Sequence, residues 1–162
     1  LDARLSATLE PRAAAPEKRL AALGKLVEAG VPAHVSIAPV VPSITDCFIE
    51  DILARAAGLG VTSASWIMLR LPHEVAPLFR EWLQVHYPDR AGKVMGIIQA
   101  MRGGRDNDPR FFSRMKPQGV WADLFRSRFR LACKKLGYSQ SLPELDCTLF
   151  LKPAQGGQLR LL

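Results

Sequence analysis

Basic side chains concentrate between residues 102 and 135 of this chain. That stretch holds ten of the 22 Lys and Arg residues, only three acids and five interleaved aromatic residues. Arginine neutralises phosphate charge and exposed aromatic rings stack on unpaired bases, so this composition is typical of contact with single-stranded or distorted nucleic acid. The candidate residues for nucleic-acid or anion binding are Arg102, Arg105, Arg110, Arg114 and Arg130.

Other interpretations of this basic stretch stay open. The two glycines between Arg102 and Arg105 allow a backbone to approach an anion between two guanidinium groups, but a solvated basic loop has the same composition. Trp121, Phe125 and Phe129 recur at helical spacing, which indicates a core-facing helix at least as well as a stacking surface.

A second group of candidate residues lies in an apolar run at residues 33–42. Side chains alternate along a strand, so His34, Ser36 and Ala38 share one face, and this polar set is the better candidate for lining a cavity. The alternative is that His34 is a hydrogen-bonded core or strand-end histidine.

Arg70 lies near the end of another apolar run, at residues 65–72. A charge in that position is costly unless it is paired or solvated at a cleft. A ligand carboxylate or phosphate could satisfy it, and so could Glu74 or Asp46.

These candidates depend on elements that the sequence pattern predicts. The two apolar runs read as strands joined by one helix, which begins at Thr45 or Asp46 and ends near Gly58, so they are predicted to be adjacent parallel strands. Proline follows each strand and sends the chain across its carboxyl end, where α/β sheets bind ligands.

Further helices are predicted around these strands. Periodicity and capping residues place them near residues 2–9, 16–29, 72–86, 90–101 and 120–136, with a long loop at 102–118. In the helix after Pro72, we expect an apolar face turned toward the sheet, formed by Val75, Leu78, Phe79, Trp82 and Leu83.

Composition limits the classes of protein. With 162 residues, 48% of them hydrophobic, and a formal charge of +7, the chain is expected to form one ordinary domain with anionic partners. Three scattered cysteines fit a reducing compartment, and no apolar run is long enough to span a bilayer, so a cytoplasmic protein without a membrane segment is expected. No Cys or His spacing predicts a metal site.

Five motifs in order resemble the carboxyl-terminal half of a radical SAM protein of the spore photoproduct lyase-like, or DNA repair photolyase-like, group. They are Leu9-Glu-Pro-Arg12, Ala38-Pro-Val-Val-Pro42, Leu69-Arg-Leu-Pro72, Met101-Arg-Gly-Gly-Arg105 and Arg128-Phe-Arg-Leu-Ala-Cys133. The resemblance implies an enzyme that cleaves S-adenosylmethionine reductively with a [4Fe-4S] cluster and abstracts hydrogen from a substrate. The C-x3-C-x2-C motif that binds the cluster in such enzymes is absent from this sequence.

The resemblance also implies where the cofactor lies. Ala38, Pro39 and Val40, with Leu69 and Arg70, correspond to backbone positions against which the adenine packs, and His34 and Ser36 join them on the strand face. Glu10 and Arg12 would lie near the ribose and amino-acid end, although an ordinary surface ion pair is the alternative. No catalytic residue is identified.

The fold expected from this resemblance is α/β. Residues 1–87 would be later βα units of a partial (βα) barrel with parallel strands, and residues 88–162 a mostly helical basic extension with a flexible tail. The amino-terminal half of the barrel would lie outside this chain, which would therefore be inactive alone.

The last residues suggest another partner. Gln158, Leu159, Leu161 and Leu162 resemble the short Gln-Leu-x-Leu-Phe peptide with which bacterial repair proteins bind the DNA sliding clamp, and Gly156-Gly157 would act as a joint. A tail that packs on its own domain is the alternative. A non-catalytic basic module that binds nucleic acid or the clamp is accordingly the second functional hypothesis.

Overall fold

The computed structural model of the chain describes residues 1–139 and 146–150. In this part of the chain, six α-helices surround two β-strands, and short 3-10 turns lie at Asp46–Phe48 and Cys147–Leu149. The elements in chain order are α1 Ala3–Leu9, α2 Pro16–Glu28, β1 His34–Val40, α3 Ile49–Gly58, β2 Ser63–Met68, α4 Val75–His86, α5 Pro88–Ala100 and α6 Val120–Lys135.

β1 and β2 form a parallel pair, with α3 as the crossover between them. His34 lies opposite Ser63, and the register continues to Ile37 opposite Trp66. The pairing then shifts, so that Val40 lies opposite Met68. Pro39, which has no N–H to give to the ladder, sits in this irregular part. The prediction of adjacent parallel strands is confirmed.

One face of the sheet is covered by helices. Ile37 and Met68 are buried there in a core that includes Leu53 of α3 and Phe125 of α6. The side chains of His34, Ser36 and Ala38 point to the other face, and all three residues are exposed. The sheet therefore has an apolar face against α3 and α6 and a polar face.

A second core forms where the chain leaves the strands. Val41 and Leu71, which follow β1 and β2, pack with Leu83 of α4 and Val94 and Ile98 of α5. Met101, directly after α5, is buried in the first core, and Arg102, the first residue of the basic stretch, is also buried. Helix α5 thus contributes to both cores and places the start of the basic stretch in the interior.

Arg128 joins α6 to the beginning of α3. Its guanidinium donates to both carboxylate oxygens of Glu50, at 2.9 and 2.8 Å, and to the carboxylate and carbonyl oxygens of Asp46, at 3.0 and 2.9 Å. The bonds to Glu50, then those to Asp46, raise the pKa of Arg128. The contact orients α6 over the crossover helix.

The prediction of a partial (βα) barrel is wrong. In residues 1–139 and 146–150 the sheet has two strands, and the rest of the ordered structure is helical. A barrel wall needs a run of βα units, each adding a strand to the same sheet. After β2 the chain instead forms α4 and α5, which pack on each other, so the βα alternation ends there.

Two local predictions also need correction. The helix after Pro72 begins at Val75, and Val75 and Leu78 are exposed, at 39% and 60%, because this helix packs against α5 through Phe79 and Leu83. Thr45 does not cap a helix: its hydroxyl accepts a hydrogen bond from the backbone N–H of Val41 at 2.8 Å.

Candidate functional site

A cavity of about 320 Å³ opens along β1, between this strand and helices α1, α2 and α3. Leu5 and Leu9 of α1 and Leu20 and Leu23 of α2 supply apolar walls. In the described residues β2 is the strand that pairs with β1, so the other edge of β1 carries backbone groups that no ladder satisfies. The cavity thus combines an apolar wall with backbone donors and acceptors.

Of the nine residues predicted to bind the cofactor, five line this cavity, namely Glu10, His34, Ser36, Ala38 and Pro39. The other four do not line it. Arg12 is exposed after α1, Val40 is buried in the core, and Leu69 and Arg70 lie beyond β2. The structure therefore brings five of the nine predicted cofactor residues together and leaves the other four elsewhere.

His34 is held by two serines of β2. Its Nδ1 lies 3.0 Å from Ser63 Oγ and its Nε2 lies 2.8 Å from Ser65 Oγ. Both ring nitrogens are thus engaged, which fixes the orientation of the imidazole on the polar face of the sheet. Ser36, the next residue on that face, is exposed and has no side-chain hydrogen-bond partner among the described residues, so its hydroxyl can bind a ligand.

Glu10 is paired with α2 rather than with Arg12. Arg19 donates to Glu10 Oε2 at 2.7 Å, and both side chains remain partly exposed. The expected surface ion pair beside Pro11 therefore has a different partner. It positions the Glu10 carboxylate at the rim of the cavity, because Arg19 also lines it.

Arg102 is the central residue of a second candidate site, at the carboxyl end of β2. It is 8% exposed, and its guanidinium donates to the carbonyls of Leu69, at 2.9 Å, and Arg114, at 3.1 Å. Burial lowers the pKa of Arg102, and the nearby charge of Arg70 lowers it further, while Asp108 opposes both. The charge of Arg102 is thus held in a site where two cations are neighbours.

Three guanidinium nitrogens in this region are buried without a hydrogen-bond partner: Nε of Arg70, Nε of Arg102 and Nε of Arg114. Arg70 has one weak contact, from Nη1 to Met115 Sδ at 3.5 Å. Neither Glu74 nor Asp46, the two carboxylates proposed to satisfy Arg70, bonds to it. Arg70 acts on Arg102 through its charge and Arg114 accepts from Arg102 through its backbone carbonyl, so we call Arg70, Arg102 and Arg114 the arginine cluster.

Asp108 is the carboxylate beside this cluster, but its hydrogen bonds go elsewhere. Its oxygens accept from Arg110 Nε and Nη2, at 3.0 Å each, and from Ser113 Oγ at 2.7 Å. The bond from Arg110, and then that from Ser113, lower the pKa of Asp108 well below its usual range. Asp108 therefore stays ionised and supports the loop.

Arg105 and Arg130, two further predicted anion-binding residues, are separate from the cluster, and an aromatic pair lies beside its member Arg114. Arg105 and Arg130 are exposed, on the loop and on α6 respectively. Phe111 and Phe112 are 70% and 86% exposed and meet edge to face, and the Arg114 guanidinium lies 4.7 Å from the centre of the Phe111 ring. The tail residues Gln158, Leu159, Leu161 and Leu162 lie outside the described residues.

No cluster of three or more His, Cys, Asp or Glu side chains able to hold a metal ion occurs in the part of the chain that the structure describes. Cys47, Cys133 and Cys147 are free thiols, and burial raises the pKa of Cys133. These residues therefore do not fit a [4Fe-4S] cluster. None of the helices at residues 1–139 and 146–150 is long and apolar enough to cross a membrane.

Comparisons with known proteins give distant relatives. A stretch of 100 residues, 60% of this chain, is 30% identical to uncharacterized proteins of Mycobacterium tuberculosis and Mycobacterium bovis. The matched stretch spans 29% of the length of those proteins. No protein-family profile matches the chain, and no solved structure matches it.

Sequence reasoning missed Ser63 and Ser65 as partners of His34, and it missed the apolar contribution of α1 and α2 to the cavity. The alternation of Ser63 and Ser65 along a predicted parallel strand was the available signal. It places both hydroxyls on one face, but the register that brings them to His34 is a property of the folded pair.

Proposed function

We propose that this chain is a portion of a radical SAM enzyme resembling DNA repair photolyases, and that the cavity along β1 contributes to binding S-adenosylmethionine. The observation that supports the proposal is the convergence of Glu10, His34, Ser36, Ala38 and Pro39 on one cavity. The resemblance indicated Glu10, Ala38 and Pro39, whereas His34 and Ser36 were predicted to line a cavity from their shared strand face. The matched relatives are much longer than the aligned stretch, which agrees with an activity that needs more than this chain.

The residues of the cavity fit the two ends of such a ligand. Leu5, Leu20 and the unpaired edge of β1 offer an apolar surface with backbone hydrogen-bonding groups, as an adenine requires. The Ser36 hydroxyl and the Glu10 carboxylate can bind ribose hydroxyls or an ammonium group. By resemblance, bound S-adenosylmethionine supplies the group that abstracts hydrogen from the substrate after its reductive cleavage. The cluster ligands and the substrate site are not assigned to these residues.

Isothermal titration of the 162-residue chain with S-adenosylmethionine tests the cavity. The Ser36→Leu variant places a larger side chain on the cavity wall and should reduce affinity at least tenfold, because the ligand loses both space and a hydrogen bond. Thr62→Leu is the matched control, since Thr62 is exposed outside the cavity. No binding by the wild-type chain at millimolar ligand, or equal loss in both variants, would contradict the proposal.

The second candidate function is a non-catalytic basic module that binds nucleic acid, or the sliding clamp through its tail. The exposed pair Phe111 and Phe112, with Arg114 on one ring, favours contact with single-stranded nucleic acid. Binding would then need neither iron nor S-adenosylmethionine, would weaken with salt, and would fall when Arg102 and Arg105 are neutralised. We also propose a cytoplasmic location, because three scattered cysteines suit a reducing compartment.

A further inference from the structure

The arginine cluster at the carboxyl end of β2 differs from an ordinary basic surface because its central residue is buried. Arg102 is held from both sides by the carbonyls of Leu69 and Arg114. Carbonyls satisfy N–H groups but carry no full charge, so these bonds leave the positive charge without a counterion. Burying an arginine in this way is costly unless a negative group completes the site.

The unsatisfied donors indicate that the cluster lacks a hydrogen-bond acceptor. Four buried side-chain nitrogen or oxygen atoms lack a partner in the described residues, and three of them are the Nε atoms of Arg70, Arg102 and Arg114. Native proteins rarely leave buried donors unpaired. Arg70 adjoins Arg102 through its charge, and Arg114 adjoins it through the backbone carbonyl that accepts from Arg102, so one acceptor bound beside Arg102 can serve these donors.

The protein itself supplies little negative charge here. Asp108 is the carboxylate near Arg102, and its oxygens are engaged by Arg110 and Ser113. Asp106, on the same loop, is bonded to Arg80 and Gln99. The cluster therefore has an excess of positive charge that carboxylates of the described residues do not balance.

We propose that Arg70, Arg102 and Arg114 form a binding site for a phosphate group at the carboxyl end of β2. Phosphate is favoured over carboxylate because its tetrahedral set of oxygens can accept from three guanidinium groups at once, whereas a carboxylate presents two oxygens in one plane. The end of a parallel strand is also where α/β proteins commonly bind ligands. The site is separate from the cavity along β1.

A second cavity beside the cluster has room for the remainder of a phosphate-bearing ligand. It measures about 300 Å³ and is lined by Trp66, Met68, Met115, Lys116, Pro117 and Arg126. Met115 connects the two places, because its sulfur contacts Arg70. The phosphate can come from a free small molecule or from a nucleic-acid backbone, and both share this chemistry.

Titration with inorganic phosphate at constant ionic strength, with chloride as the reference anion, tests the site in the 162-residue chain. Arg70→Gln and Arg114→Gln should each weaken phosphate binding about tenfold, the effect of losing one charge-assisted hydrogen bond. Arg105→Gln is the matched control: it removes the same charge from an exposed position on the same loop, and it should change affinity less than about twofold. Circular dichroism establishes that each variant is folded.

Phosphate binding no tighter than chloride binding, or an Arg105→Gln effect equal to that of Arg70→Gln, would overturn the site. Competition then identifies the source of the phosphate. Displacement by a single-stranded oligonucleotide, lost in Arg70→Gln, indicates a nucleic-acid backbone, whereas displacement only by a nucleoside monophosphate indicates a small molecule. Ser36→Leu should leave phosphate binding unchanged, which separates this site from the cofactor proposal.

Discussion

Arg128 and Arg102 are both arginines withdrawn from solvent, and they are satisfied in opposite ways. Arg128 donates to two carboxylates, Glu50 and Asp46, and these bonds raise its pKa. Arg102 donates only to backbone carbonyls, and burial together with Arg70 lowers its pKa. The charge of Arg128 is balanced within the fold and serves the packing of α6. For Arg102, the proposed counterion is a phosphate group that binds from solution.

The largest effect that tests this comparison is the loss of Arg128. Arg128→Met keeps the length of the side chain but leaves Asp46 and Glu50 without their partner, so we expect the free energy of unfolding to fall by about 2 kcal/mol. Urea denaturation at pH 7 measures it. Arg130→Met, on the exposed part of the same helix, is the control and should stay within about 0.5 kcal/mol of wild type. If Arg128→Met and Arg130→Met lowered the free energy of unfolding equally, the bonds from Arg128 to Asp46 and Glu50 would not stabilise the fold as proposed.

A smaller effect of opposite sign is expected at the arginine cluster. Arg70→Met removes a charge that repels Arg102, so without phosphate the free energy of unfolding should rise by about 0.5 kcal/mol. The same urea experiment at low ionic strength detects this, and adding phosphate should stabilise wild type more than the variant. Destabilisation by Arg70→Met in phosphate-free buffer would show that its charge is already balanced.

The smallest expected effect is the pH dependence that Glu50 contributes. The hydrogen bond from Arg128 lowers the pKa of Glu50 in the folded chain. Its stabilisation is therefore complete above the ordinary glutamate pKa of about 4.3 and is lost as pH falls through the lower folded value. Glu50 is partly exposed, so the contribution is a few tenths of a kcal/mol.

Urea midpoints between pH 6 and pH 2 measure this contribution. Compared with wild type, Glu50→Gln should lose less stability over that interval, since its amide does not titrate. A steeper loss in the variant would contradict the assignment. Asp123→Asn, an exposed carboxylate on α6, gives a reference for the removal of a surface acid.

The sequence predicted the central βαβ unit but not its surroundings. Two apolar runs separated by one helix imply parallel pairing, because such runs must be buried and the crossover is long enough. The number of strands in the sheet is not a local property. The barrel was inferred from the resemblance, and nothing in the pattern after residue 72 indicates that α4 would pack on α5 instead of on the sheet.

At the candidate sites, too, the sequence predicted local features but not the contacts between segments that are remote in the sequence. Alternation along β1 correctly placed His34, Ser36 and Ala38 on one face. Arg102 and Arg105 were treated as a pair around two glycines, but the structure buries the first and exposes the second. Which arginine turns inward depends on the carbonyls of Leu69 and Arg114, which are remote in the sequence from each other and become neighbours only on folding.

Arg102 also acts as a noncovalent cross-link. One side chain ties residue 69 to residue 114 and closes the intervening segment into a ring, as a disulfide does, but through bonds that can open. The ring restrains the loop only while the guanidinium stays in place, so unlike a disulfide it does not constrain the unfolded chain. Release of Arg102 would therefore free the loop as a unit, and amide hydrogen exchange across residues 103–116 would increase together rather than residue by residue.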